Sequence, residues 1–273
     1  MVRDHSAPTG RSNPPPVLTI NRDGQSPFVL ACDHASNRMP DECGDLGLTP
    51  QQRLMHIAWD PGALAVALEL SDRLDAPLIQ STVCRLVIDC NRSTDKHDLI
   101  PVVSERTDIA ANVGLSAAER DRRIADYHAP FHAAIDAMLT GRKAAGLETI
   151  LVTVHSFTPT YKGVPRPWPI GLIHATDPGF TAALRDALLE DSADLIVGWN
   201  EPYSAMNGVT YTLEHHGDGR GLDATMIEIR HDEILEPAGV TLWATRLASC
   251  LNNARGGVRA AATELLGSTR RHP

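Results

Sequence analysis

Residues 149–157 read TILVTVHSF, a run of β-branched and large apolar side chains that ends on a histidine. With no polar face, the run predicts a strand over Thr149–His155 that is buried on both sides, as in a parallel sheet covered by helices. Similar runs occupy Phe28–Cys32, Pro77–Ser81, Arg85–Cys90, Ile170–His174, Asp194–Val197, Thr210–Leu213 and Ala224–Arg230, and longer helical patterns separate them. This alternation predicts a single α/β domain whose central sheet is mixed but mostly parallel, flanked by helices. The domain is expected over 17–266, with 1–16 and 267–273 as tails lacking periodicity.

Thr49, Asp60 and Asp177 each stand before a proline, a pattern that places a side-chain acceptor at the N-cap and Pro in the first turn. Ser116 and Glu119 form a capping box ahead of the longest helical pattern, which Pro130 is expected to bend or break. A last helix is expected over Pro237–Leu266, interrupted at Gly256 and Gly257. Ser93–Gly114 and Thr158–Trp168 fit neither period and read as lids or binding loops.

The 273 residues are 42% hydrophobic and 22% charged, with a net charge of −9, the composition of an ordinary globular protein. The acidic balance argues against nucleic acid as a partner, because grip on phosphates comes from clustered Lys and Arg. Apolar runs such as Ala63–Leu68 fall far short of the ~20 residues that span a bilayer, so a cytoplasmic protein is expected. Five cysteines without a CxxC suggest free thiols rather than a disulfide framework or a zinc ribbon. The chain also lacks a GxSxG elbow, a GxxxxGK[ST] loop and a GxGxxG turn, which sets aside serine hydrolysis and nucleotide binding.

The histidines are more informative. His34 follows the apolar run FVLAC and His155 closes TILVTVH, so both stand where strands end. In open α/β sheets those ends face the ligand crevice, where two imidazoles can converge on one ion. Glu228 lies among apolar neighbours in MIEIR, so it is paired, aimed into a polar cleft or protonated, unless it alternates outward on an edge strand. Asp60 in WDPGA reads equally well as a helix cap. His128 and His132 in YHAPFH lack the glutamate of HExxH and read as supporting or packing groups.

Seven segments, FVLACDHASNRMP, HIAWDPGA, CRLVIDCNRS, YHAPFHAAI, VTVHSF, NEPYS and EHHGDGRGLDATMIEIR, together resemble the N-formylglutamate amidohydrolase family over about residues 28–231. The resemblance implies a fold similar to the zinc carboxypeptidases and a divalent metal at the strand ends, zinc by default, with cobalt or iron as alternatives. It implies His34 and His155 as metal ligands and Glu228 as the base that activates water. The HxxE pattern of carboxypeptidases is missing, since Asn37 stands three after His34, and Asp60 is the candidate third ligand. Asn91 and Arg92 match a pair that holds a substrate carboxylate. Arg85 is a second cation assigned to the catalytic group, and His215 and Arg220 are candidates for a second carboxylate. The reaction implied is hydrolysis of N-formyl-L-glutamate or a related small N-acyl amino acid, with oligomeric state open. The alternatives are an amidase of small or cell-wall peptides and a noncatalytic binding protein. The chain departs from the deformylases of histidine degradation in reading Asp33, His34, Ala35, Ser36 where those have PHxG.

Overall fold

The computed structural model describes residues 14–203 and 208–269, with side chains to 258. Most of the expected tails, 1–13 and 270–273, lies outside the described residues, while 267–269 continue the last helix. The strands are β1 (Val17–Ile20), β2 (Phe28–Cys32), β3 (Leu78–Ser81), β4 (Val103–Ser104), β5 (Thr107–Asp108), β6 (Ile150–Phe157), β7 (Thr160–Tyr161), β8 (Val164–Pro165), β9 (Ile170–Ile173), β10 (Val197–Trp199) and β11 (Asp223–Arg230). The helices are α1 (Ala63–Leu74), α2 (Ala117–Arg123), α3 (Ala129–Ala144), α4 (Gly179–Asp191) and α5 (Pro237–Thr269).

Seven strands form one sheet in the order β1-β3-β2-β6-β11-β9-β10, while β4/β5 and β7/β8 are separate hairpins. The pairs β3/β2, β2/β6, β6/β11 and β9/β10 are parallel; β1/β3 and β11/β9 are antiparallel. This is the mixed, mostly parallel sheet expected. Alternate residues of the central strands feed two cores. Leu30, Val152, Val154 and Ile227 pack on Val66 of α1, Phe180 of α4 and Trp243 of α5. Val29, Ala31, Leu151 and Met226 pack on Phe131, Ile135 and Leu139 of α3. Burial on both faces is why β2 and β6 carry unbroken apolar runs.

Four local expectations change. Arg85–Cys90 is a series of turns, held by Arg85 N–H to Ala58 O and Val87 N–H to Cys84 O. Its apolar side chains are buried all the same, in a third cluster with Leu46, Ile57, Leu99 and Ile109, so burial did not require a sheet. Thr210–Leu213 opens a helical segment, with Glu214 N–H bonded to Thr210 O, and periodicity cannot separate strand from helix in so short a run. β10 lies three residues later than Asp194. α5 passes through Gly256 and Gly257 unbroken.

The capping signals have three outcomes. Ser116 caps α2 by accepting from Glu119 N–H. Thr49 and Gln52 bond reciprocally, but around one short 3-10 turn, Gln52–Leu54. Asp60 caps nothing, because α1 begins behind Gly62, which adopts a left-handed conformation, and the carboxylate turns inward instead. The helical run passes through Pro130 without a break: the Ala129 N–H reaches back five residues to Ile124 O, a wide turn that accommodates the proline ring.

Gly62 has φ +82°, and a Cβ there would lie 2.5 Å from Ile234 O. Gly62→Ala should therefore destabilise the protein by at least about 2 kcal/mol, read as a fall in Tm of about 4–8 °C in thermal unfolding. An unchanged Tm would contradict this packing.

Candidate active site

The parallel register of β2, β6 and β11 brings three chemistry-bearing segments to one edge. Glu228 of β11 lies opposite His155 of β6, so their side chains share a face, and His34 follows two residues beyond the end of β2. Asp60 is tied to this edge by its N–H bond to His34 O, 3.0 Å. His34, Asp60, His155 and Glu228 are all buried, none more than 4% exposed.

Asp60 is the point of convergence. His34 Nδ1 lies 3.3 Å and His155 Nδ1 3.0 Å from Asp60 Oδ2, while Arg85 Nη1 donates to Asp60 Oδ1 at 3.3 Å. The far imidazole nitrogens also meet carboxylates. His34 Nε2 is 2.7 Å from Asp89 Oδ1, and His155 Nε2 is 3.2 Å from Asp33 Oδ2. Those last two atoms are close enough for an ion pair yet lack hydrogen-bond alignment, and Glu228 Oε2 has no hydrogen-bond partner among the described residues. Arg85 Nη2 donates to Asp89 Oδ2 at 2.9 Å, and the Thr212 hydroxyl donates to Asp33.

Burial pulls the pKa of both histidines down, but the surrounding carboxylates outweigh it. His155 is raised well above its ordinary value by Asp33 and Asp60, and His34 is raised by Asp89 and Asp60 against Arg85. Asp60 is held below the ordinary carboxylate range; burial opposes this, and His34, His155 and Arg85 prevail. Glu228 goes the other way: burial, with Asp60 adding, pushes it up to about 7.

The residues fit a divalent metal. One nitrogen each from His34 and His155 and one Asp60 oxygen lie within 4.8 Å of one another, two imidazoles and a carboxylate of the kind zinc takes. Each imidazole turns its other nitrogen toward a carboxylate, the arrangement that fixes the tautomer of a metal-binding histidine.

The cluster lies in a cavity of about 270 Å³ whose wall includes Arg85, Asn91 and Arg92. Both unassigned segments contribute to it, one through Asp98 and Glu105, the other through Thr158 and Tyr161. Asn91 faces the cavity, but its amide is engaged: it donates to Val209 O and accepts from Thr212 N–H. Arg92 is partly engaged, with Asp98 at 3.1 Å and Gly208 O at 3.1 Å. His215 and Arg220 are not brought to this cavity. His215 is exposed and stacks on Tyr211, and Arg220 pairs with Asp136 of α3.

Sequence reading passed over Asp33 and Asp89. The signal was an acid beside a strand-end histidine in CDH and an acid within an apolar run in LVIDC. It also left open what His128 and His132 support: they bond Arg92 O and Cys90 O, both at 2.9 Å, and so fix the backbone that carries Asp89 and Arg92. Burial holds His132 down at about 3, and it stays neutral.

A buried His-Asp-His cluster beside an unpartnered carboxyl, at the carboxyl ends of a mostly parallel sheet, has the makeup of a hydrolase site. The chain belongs to the N-formylglutamate amidohydrolase family, whose family model matches residues 26–235. It is similar to a gene product of Agrobacterium tumefaciens of known crystal structure, at 38% identity and a TM-score of 0.87 over 90% of this chain and 96% of that one. It shares its fold with the N-formylglutamate amidohydrolase of Ralstonia eutropha, at 20% identity and a TM-score of 0.66 over 90% and 99% of the two chains. None of the curated proteins matches the chain. Among the described residues no helix is long and apolar enough to cross a membrane.

The folded chain retains a proton on Glu228 up to a pH of about 7, whereas the unfolded chain releases it near 4.5. The group's contribution to stability is thus full below 4.5 and lost as pH rises through 7. Glu228→Gln in the metal-free protein should therefore be neutral near pH 4.5 and stabilising by ~3 kcal/mol at pH 8. Denaturant melts at the two pH values check this, and a pH-independent difference would contradict it.

Proposed function

We propose that this chain hydrolyses the amide bond of a small N-acyl amino acid, with N-formyl-L-glutamate the first substrate, and that His34, Asp60 and His155 hold the divalent metal the reaction needs. The observation that carries the reading is the Glu228 carboxyl, set opposite His155 and without a partner among the described residues, while His34, Asp60, His155, Arg85 and Asp89 beside it are tied to one another. Zinc is the first choice, with cobalt or iron as alternatives. When bound, such an ion lowers the pKa of its water and polarises the substrate carbonyl.

The chain's own residues supply the remainder. Glu228 takes the proton from the attacking water and returns it to the nitrogen as the C–N bond breaks, leaving formate and glutamate. A carboxyl pushed up to about 7 is suited to both transfers near neutral pH. Arg85 holds the Asp60 and Asp89 carboxylates in place and keeps a quarter of its side chain exposed toward the cavity, where it opposes negative charge developing on the carbonyl oxygen. Asn91 shapes the wall, and Arg92 adds positive charge beside it. The small cavity favours one acyl amino acid over an extended peptide. We place the enzyme in the cytoplasm, in keeping with its five free cysteines.

Purified chain, stripped and then loaded with Zn²⁺ or Co²⁺, should release formate from N-formyl-L-glutamate only when loaded, and N-acetylglutamate should react more slowly. Absence of release under every metal would overturn the substrate. Glu228→Gln should bind metal normally but lose roughly 10²–10⁴-fold in kcat; unchanged turnover would remove Glu228 from the mechanism. Asp89→Asn, which removes the carboxylate behind His34, should weaken metal affinity by about 10–100-fold in a chelator competition.

A further inference from the structure

We infer that Arg166, between the β7/β8 hairpin and β9, receives a carboxylate of the substrate, with the Tyr203 hydroxyl beside it; the inference rests on the acyl-amino-acid reading of the same cavity. Three arginines are buried among the described residues, and two have all they need. Arg123 bonds Glu119, Val87 O and Asn112; Arg142 bonds the Thr149 hydroxyl and the carbonyls of Gly24, Ser26 and Glu148. Arg166 differs. At 8% exposure, its guanidinium makes one long bond among the described residues, Nη1 to Tyr203 Oη at 3.4 Å, and meets no carboxylate among them. Residues 204–207, outside them, include no acid.

What surrounds Arg166 is aromatic. The guanidinium carbon lies 4.7 Å from the Tyr161 ring centre, 4.9 Å from Tyr203 and 5.6 Å from Phe157, and all three rings line the cavity. Rings engage the face of a guanidinium and leave its in-plane N–H groups unmet. Those N–H groups form the planar fork that a carboxylate fills with two bonds. A buried cation without an anion is costly, and the rings alone do not offset it. None of its nitrogens is among the sealed polar atoms that lack a partner, and the Tyr203 hydroxyl that it bonds belongs to a residue lining the cavity.

The group is also held still. Arg166 N–H bonds Pro159 O at 2.8 Å across the hairpin, and Arg230, at the end of β11, reaches Arg166 O at 3.3 Å and Pro167 O at 3.4 Å. Arg230 is two residues from Glu228, so the backbone that carries Arg166 and the proposed base are tied to one strand. Arg85 and Arg92, by contrast, already pair with Asp60, Asp89 and Asp98. Arg166 is therefore a specificity residue that selects acidic acyl amino acids.

The test compares metal-loaded wild type and Arg166→Gln on N-formyl-L-glutamate and on its two monoamides. On the diacid, kcat/KM should fall about 100-fold, mostly through KM, while one of the monoamides, lacking the carboxylate that Arg166 holds, should be hydrolysed equally by both proteins. An equal loss on all three substrates, or no loss, would overturn the assignment. Tyr203→Phe, which deletes one hydroxyl and no volume, should show the same substrate pattern with a loss of about threefold to tenfold. Calorimetric binding of glutarate separates this inference from the reaction. If wild type hydrolyses none of the three substrates but binds glutarate at least about tenfold more tightly than Arg166→Gln does, the carboxylate site stands and the deformylase reading falls. Equal binding by the two proteins, or none by either, would sink the site.

Discussion

The Asp60 carboxylate is buried where a lone charge would be untenable, and the site is organised around making it tenable. His34, His155 and Arg85 each approach within 3.3 Å of it, from three separate segments of the chain. Each of the three in turn contacts a further acid, Asp89 or Asp33, so charge alternates outward from Asp60. Such a network is stable only when nearly complete, because removing one member strands its partners in a poorly solvated interior. Glu228 stands outside it: close enough to feel Asp60, buried like the others, and without a cation of its own. That exclusion pushes its pKa upward and leaves it free to move protons.

The sheet and helices exist, for the purposes of this site, to hold those segments in register. Parallel pairing of β6 with β11 sets Glu228 beside His155, and β2 on the other side of β6 delivers Asp33 and His34. The Asp89–Arg92 stretch pairs with no strand among the described residues, and its fixation comes from His128, the last residue of the wide turn, and His132 of α3, which bond the Arg92 and Cys90 carbonyls. His216 completes that support by lying 3.0 Å from the other nitrogen of His132. Histidines in this protein thus perform two tasks, a charged one beside Asp60 and a neutral, backbone-holding one behind it.

Much of this was legible in order along the chain. The apolar runs at 28–32 and 149–157 required strands covered on both faces, and each delivers its histidine to the same edge. Glu228, read as an acid among apolar neighbours, is a buried one without a hydrogen-bond partner among the described residues. Elsewhere a local pattern allows more than one tertiary outcome. Asp60 before Pro61 fits a helix cap, yet the helix starts behind Gly62 and leaves the carboxylate to the histidines. Arg85–Cys90 has the composition of a strand, yet it is a series of turns, with Leu86, Val87 and Ile88 buried outside the sheet. Arg220 and His215 precede β11, whereas Glu228 stands near the other end of that strand, so the strand's length keeps them from the cavity.

The sequence by itself determined the fold class and the strand-end placement of His34 and His155, because periodicity and apolar content are local and report directly on which faces meet water; whether Glu228 is buried or turned outward they left open. Only the tertiary structure decided which acids stand behind which imidazoles, and that Arg85 and Arg92 are engaged with carboxylates while Arg166 is not. Hydrogen bonds and ion pairs are matters of a few tenths of an ångström between side chains 25 to 95 residues apart in the chain, a distance over which sequence pattern holds no record.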